Sequence, residues 1–164
     1  MATIRRALPS DIGVIVDMGK EAIDSTSYTG IPINEQKCRR LVVQMMNAAK
    51  TCVWVVADDQ DQAQGFLLGA VDDLFFSDAW FATDIATYVR PGFRRYGFRL
   101  IRRFIEWAKT FPKVIEISMA IASGHQYDDR VGRLYEHMGL QRVGGLHVMR
   151  VVKHEQTMPI SSVG

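Results

Sequence analysis

The chain has 164 residues, of which 48% are hydrophobic and 23% charged, and its net charge is only +2. That length suits one domain with a proper core, and the near-balanced charge selects no polyanionic or membrane partner by itself. Cys38 and Cys52 have no metal or redox spacing, and no secretory leader, membrane span, repeat or low-complexity tract is visible, so a disulfide scaffold and a membrane protein are set aside and a reducing cytoplasm is the simplest compartment.

In chain order, residues 3–7 read as a short strand. Pro9, Ser10 and Asp11 open a helix with Ile12, Ile15, Val16 and Ile23 on its apolar side and Ser10 or Asp11 as cap. Residues 25–33 are polar, contain Gly30 and Pro32, and read as a loop carrying Tyr28. A second helix is expected over 34–49, burying Leu41, Val42, Met45 and Met46. Strands follow at 52–57, 64–76 and 79–89, with a polar turn at 58–61, and should form an antiparallel meander. After a basic turn a helix runs from Phe98, its apolar stripe carried by Ile101, Phe104, Ile105 and Ala108 and widened by Leu100, Trp107 and Phe111. Residues 113–121 read as a strand and 128–138 as a helix with Val131, Leu134, Tyr135 and Met138 on one face, ended by Gly139. One or two closing strands are expected over 140–152, with Gly144 and Gly145 as turn or bulge. The fold class is therefore mixed α/β, a single domain over 1–153 with helices on both faces of the sheet and a polar tail over 154–164.

The turn between the third long strand and its helix carries the chemistry. Pro91 and Gly92 stop the strand. A helix start leaves N–H groups without internal partners and favours negative charge. Gly97 allows close approach of a ligand to the backbone, and Arg94, Arg95 and Arg99 supply planar donors suited to phosphate. A phosphate-bearing ligand is the expectation, most simply a pyrophosphate.

Pro91-x-x-Arg94-x-x-Gly97 resembles the acyl-coenzyme A loop, Arg/Gln-x-x-Gly-x-Gly/Ala, of the GCN5-related N-acetyltransferases (GNAT family). Leu134-Tyr135-Glu136-His137-Met138-Gly139-Leu140 is similar to that family's Leu-Tyr-x-x-x-Gly-Phe segment, in the same order and at a matching separation. The stretches 82–91 and 132–135 look most like acetyltransferases of bacteriophages and prophages. The resemblance reaches to about Val152. It implies a mostly antiparallel mixed sheet split at the cofactor site, acetyl-CoA as cosubstrate, no metal, and direct acetyl transfer to an amine. It further implies that pantetheine pairs with backbone groups near Tyr88 and Val89, and that Arg94, Arg95, Tyr96, Gly97, Phe98 and Arg99 surround the phosphates. Arg99 stands where the family has a small residue: it either reaches the phosphates itself or marks a weakened site.

By the same resemblance Tyr135 is the general acid for the departing thiolate, whereas on spacing alone it reads as a core tyrosine. Asp128 falls where the family often has a cofactor-binding asparagine, and reads equally well as a helix cap. Asp84, a carboxylate in an otherwise apolar strand, needs a partner and is the candidate base; His125 is the other, while Asp72, Asp73 and Asp78 read as solvated charges. Ser123 is a weaker acceptor-side candidate, and Tyr28 and His125 are candidate walls of the acceptor site. The amine belongs to a protein lysine, a protein N-terminus or a small molecule; a host protein is the target if the chain is phage-encoded, and homodimers are common in the family. Two alternatives stand beside this reading: an inactive GNAT-like interaction module, and a nucleic-acid binder using the arginine stripe from Arg90 to Arg103.

Overall fold

The computed structural model describes residues 1–26, 28–121, 129–145, 147, 149 and 151. Five strands form one sheet in the order β1 (Thr3–Arg6), β2 (Thr51–Ala57), β3 (Ala63–Asp73), β4 (Trp80–Val89) and β5 (Val114–Ser118). The first four pair antiparallel with their sequence neighbours, and β5 alone runs parallel to β4. A parallel neighbour requires a crossover, and α3 (Gly97–Ala108) provides it.

The sheet has a core on each face. On one face α1 (Ile12–Asp24) and α2 (Glu35–Asn47) bring Ile15, Met18, Val42 and Met45 onto Val53, Val55, Phe66 and Leu68. On the other, Leu100, Phe104 and Ala108 of α3 pack on Cys52, Val56, Leu67 and Ala82. Alternate β2 residues thus feed opposite cores, as a strand covered on both sides demands. Phe104 packs directly over Gly69 because that residue has no side chain: a Cβ there would stand 2.5 Å from the Phe104 ring and 2.8 Å from the Cys52 sulfur. The fourth helix, α4 (Asp129–His137), ends at Gly139, whose φ of +91 turns the chain so that the Leu140 N–H reaches the Tyr135 carbonyl at 3.0 Å.

Four details depart from the sequence expectation. The strand expected over 64–76 ends at Asp73, where a turn closed by Leu74 N–H to Ala79 O (3.0 Å) takes over. Phe75 and Phe76 have strand propensity but form the exposed tip of this hairpin, edge to face at 5.0 Å. Leu41 of α2 is exposed, because the stripe facing the sheet is centred on Val42 and Met45. Asp11 makes no cap contact to α1; its buried carboxylate instead accepts from the Arg5 guanidinium (2.7 Å) and from the Leu8 N–H (2.7 Å) ahead of a 3-10 turn over Pro9–Asp11. The described residues from Leu140 onward lie in no strand, so the closing strands are not seen among them; the tail over 154–164 lies outside the described residues.

Candidate active site

The sheet forks between β4 and β5. Their pairing runs from Trp80 opposite Val114 to Thr83 opposite Ser118 and stops there, while β4 continues to Val89 on its β3 side alone. A bulge lies at the fork: Leu68 opposes Ala86 but its neighbour Gly69 opposes Asp84, leaving Ile85 as the extra, exposed residue. The extra residue switches the faces. Before it Trp80 and Ala82 join the α3 core, whereas after it Ala86 and Tyr88 join the α1–α2 core and Val89 the α3 core. Beyond the bulge, Arg90 N–H donates to Gln64 O at 3.0 Å, across a ladder in which Val89 opposes Gly65. By antiparallel alternation the peptide groups of Thr87 and Val89 face away from β3, into the fork, and those of Tyr88 face β3. The free backbone groups expected at Tyr88 and Val89 are therefore those of Thr87 and Val89.

The switch also brings Asp84 and Thr87 onto one face. The Thr87 hydroxyl donates to Asp84 Oδ2 at 2.9 Å, and the Ala120 N–H, just past the end of β5, donates to Asp84 Oδ1 at 3.2 Å. Asp84 thereby has the partners that a carboxylate in an apolar strand requires. The phenol of Tyr135 on α4 donates to the Ala120 carbonyl at 3.5 Å. Burial pushes the Asp84 carboxyl above its ordinary value, opposed by these two donors. Burial, and secondarily the Asp84 charge, pushes the Tyr135 phenol up as well, so it holds its proton.

Below the fork, Pro91–Tyr96 forms a 3-10 turn that runs directly into α3, and the Gly97 N–H donates to the Arg94 carbonyl. Gly97 has φ −56 and ψ −40, which any residue adopts, and a Cβ built there meets nothing within 4 Å. Neither dihedral strain nor packing within the protein requires a glycine here; an approaching ligand would. The three arginines are deployed differently. Arg95 donates to the Tyr96 hydroxyl at 3.1 Å, and Arg99 donates to the Ala2 carbonyl at 3.3 Å. All three are exposed, and Arg94 makes no side-chain hydrogen bond among the described residues. Tyr96 is buried, and its hydroxyl also accepts the Ala2 N–H at 3.2 Å, which ties the turn to the start of β1. Tyr96 thus offers a ligand only its backbone. Phe98 is half-buried and lines a groove between α3 and the end of α4, with Ile105 and Met138.

On the opposite face Glu21 of α1 receives Arg90 at 2.7 Å and the Tyr88 phenol at 3.2 Å, and Arg90 also reaches Gln64 at 3.1 Å. Hydrogen bonding by Arg90 holds the Glu21 carboxyl below its ordinary value. Arg102 lies over the Phe98 ring and Arg103 pairs with Glu106, so the arginine stripe, Arg94 apart, is distributed among separate intramolecular partners. Asp72, Asp73 and Asp78 are exposed, as expected of solvated charges. Tyr28 is partly exposed in the turn after α1. Ser123, His125 and Asp128 lie outside the described residues.

Glu21, Thr87 and Ala120 were not singled out from the sequence. The run from Trp80 to Val89 has only Thr83, Asp84 and Thr87 as clearly polar residues, too few to show where alternation changes phase, and Glu21 meets Arg90 across 69 positions.

No protein-family model matches the chain, and no curated protein matches it in sequence. Solved structures do match. A transcriptional regulator from Bacillus halodurans superposes with a TM-score of 0.73 at 18% identity, covering 92% of this chain and 100% of its own. An aminoglycoside antibiotic 6'-N-acetyltransferase from Acinetobacter baumannii gives 0.68 at 15% identity, covering 94% and 100%. An acetyltransferase from Trypanosoma brucei gives 0.69 at 12% identity, covering 92% and 100%. The chain has the GNAT acetyltransferase fold. The forked sheet, the arginine-bearing turn and Tyr135 occupy one continuous region of that fold. Among the described residues no helix is long and apolar enough to cross a membrane.

Proposed function

We propose that this chain is an N-acetyltransferase that passes an acetyl group from acetyl-CoA directly to a primary amine. The observation that carries the reading is the fork: β4 keeps two peptide groups turned away from β3 beyond the point where β5 leaves it, and a protonated tyrosine stands at that point. An amide-bearing chain such as pantetheine is the natural partner for such groups, which are costly to bury unpaired. The open space over Gly97 and the exposed Arg94 fit a phosphate group. When bound there, acetyl-CoA supplies the activated thioester; Thr87 and Val89 would hold the pantetheine, and Arg94, beside the open space over Gly97, the pyrophosphate.

Tyr135 gives its phenolic proton to the departing sulfur. Both oxygens of Asp84 already accept hydrogen bonds from the protein. The amine's proton passes to solvent water. Protein lysines, protein N-termini and small amines are the acceptor classes, and the likeness in fold to aminoglycoside acetyltransferases supports including polyamine sugars among the small amines. A host-protein target and a bacteriophage setting rest on the sequence stretches alone. The free thiols Cys38 and Cys52 suit a reducing cytoplasm, and burial pushes the Cys52 thiol up to about 12, where it is inert.

The test is thiol release from acetyl-CoA across a panel of peptides, aminoglycosides and simple amines. Acceptor-dependent release that falls in Tyr135→Phe supports the proposal. No release with any acceptor, together with unchanged acetyl-CoA hydrolysis over background, moves the assignment to an inactive interaction module of the same fold.

A further inference from the structure

The fork raises a question of its own: what stops β4 and β5 from either zipping further or separating completely? A parallel pair with free edges has no intrinsic end point. Here the end point coincides with Asp84. Its Oδ1 holds the first described N–H beyond β5 that reaches β4, that of Ala120, and its Oδ2 holds the hydroxyl of Thr87 across the bulge. The side chain thus occupies the place of a backbone acceptor at the point where the backbones diverge. It also fixes Thr87, whose peptide groups face the fork. The residue it grips on the other side, Ala120, is the one whose carbonyl receives the Tyr135 phenol.

We infer that Asp84 is a positioning residue, a clasp that sets the width of the fork and, through Ala120, the place of the Tyr135 hydroxyl. The inference rests on the acetyltransferase reading and gives Asp84 a role other than that of general base. The two roles differ in what the side chain must be. A base must be able to take a proton, so asparagine cannot replace it. A clasp must accept the Ala120 N–H and engage the Thr87 hydroxyl, and asparagine does both: its carbonyl oxygen accepts, and its amide donates to the threonine oxygen.

The experiment is steady-state kinetics on wild type, Asp84→Asn, Asp84→Ala, Tyr135→Phe and the Asp84→Ala/Tyr135→Phe double variant. Calorimetric titration with coenzyme A and thermal unfolding accompany each. The clasp predicts that Asp84→Asn keeps kcat within about fivefold of wild type and keeps the shape of the pH profile, while Asp84→Ala loses about 10- to 100-fold. It also predicts a strongly non-additive cycle, in which Asp84→Ala costs little once Tyr135 is phenylalanine. Thr87→Val, which removes one donor without touching Asp84, should lower kcat about two- to fivefold and covers the case in which Asp84→Ala does not fold. Asp84→Asn as inactive as Asp84→Ala, with additive losses and a pH profile stripped of one limb, overturns the clasp and makes Asp84 the base. A wild-type protein that neither binds coenzyme A nor turns over overturns the acetyltransferase reading itself, and the clasp with it.

Discussion

Replacing Gly97 with alanine should move stability and ligand affinity in opposite directions. Gly97 opens α3 with ordinary helical dihedrals, and its missing Cβ points into open space. Alanine there loses less unfolded-chain freedom and strains nothing, so it should stabilise the free protein by about 0.4–1 kcal/mol. For a chain of this size that corresponds to a rise in Tm of about 1–4 °C. The same methyl enters the space through which phosphate oxygens approach the turn. Pushing them back by even a fraction of a methyl radius weakens several charge-assisted contacts together, and affinity for coenzyme A should fall by at least about tenfold, or 1.4 kcal/mol. Thermal unfolding without ligand and calorimetric titration with coenzyme A read the two effects separately. A variant that is stabilised as expected and still binds coenzyme A within about twofold of wild type refutes the assignment of this turn to the phosphates.

The remaining predictions follow the same geometry. Tyr135→Phe should lower kcat by about 10²- to 10⁴-fold in the thiol-release assay while leaving the Kd for acetyl-CoA nearly unchanged, and a fully active variant removes Tyr135 from proton transfer. Arg94→Ala should weaken coenzyme A binding by about 1.5–3 kcal/mol, whereas Arg99→Ala, whose guanidinium already serves the Ala2 carbonyl, should change it far less; equal losses contradict that division. Gly69→Ala should destabilise the fold by about 1–3 kcal/mol in denaturant melts, because its methyl collides with the buried Phe104 ring. Glu21 is held below its unfolded value of 4.5 by Arg90, so the pair's stabilisation is present above that value and is lost as pH falls through the folded one. The Tm advantage of wild type over Glu21→Gln should therefore shrink as pH falls below 4.5, and a pH-independent difference refutes the pairing.

The elements were legible wherever one physical signal dominated. The 3.6-residue stripe of α3, the apolar run of β2 and the glycine after α4 each mark an element that exists, with boundaries shifted by a residue or two. Phe75 and Phe76 misled because strand propensity measures fitness for a half-buried pleated surface, and the tip of a hairpin offers none. At the site, Asp84 stood out as a carboxylate in an apolar strand and Tyr135 only through the likeness of its Leu-Tyr-x-x-x-Gly segment, and the structure brings both to the fork. The division of labour among the arginines was not legible. Arg94, Arg95 and Arg99 are equivalent as letters and all exposed, and only the approach of the Ala2 backbone and of Tyr96 separates Arg94 from the two that brace the turn. The bulge at Ile85 was hidden for a related reason: a strand apolar on both faces gives no alternation in which a phase change registers.

The central claim is tested most directly by calorimetric titration of the purified protein with acetyl-CoA, with coenzyme A and adenosine as controls. The account predicts saturable binding of acetyl-CoA and coenzyme A and little binding of adenosine, since the fork and the turn take hold of pantetheine and pyrophosphate. A demonstrably folded sample that binds neither coenzyme A species would contradict it.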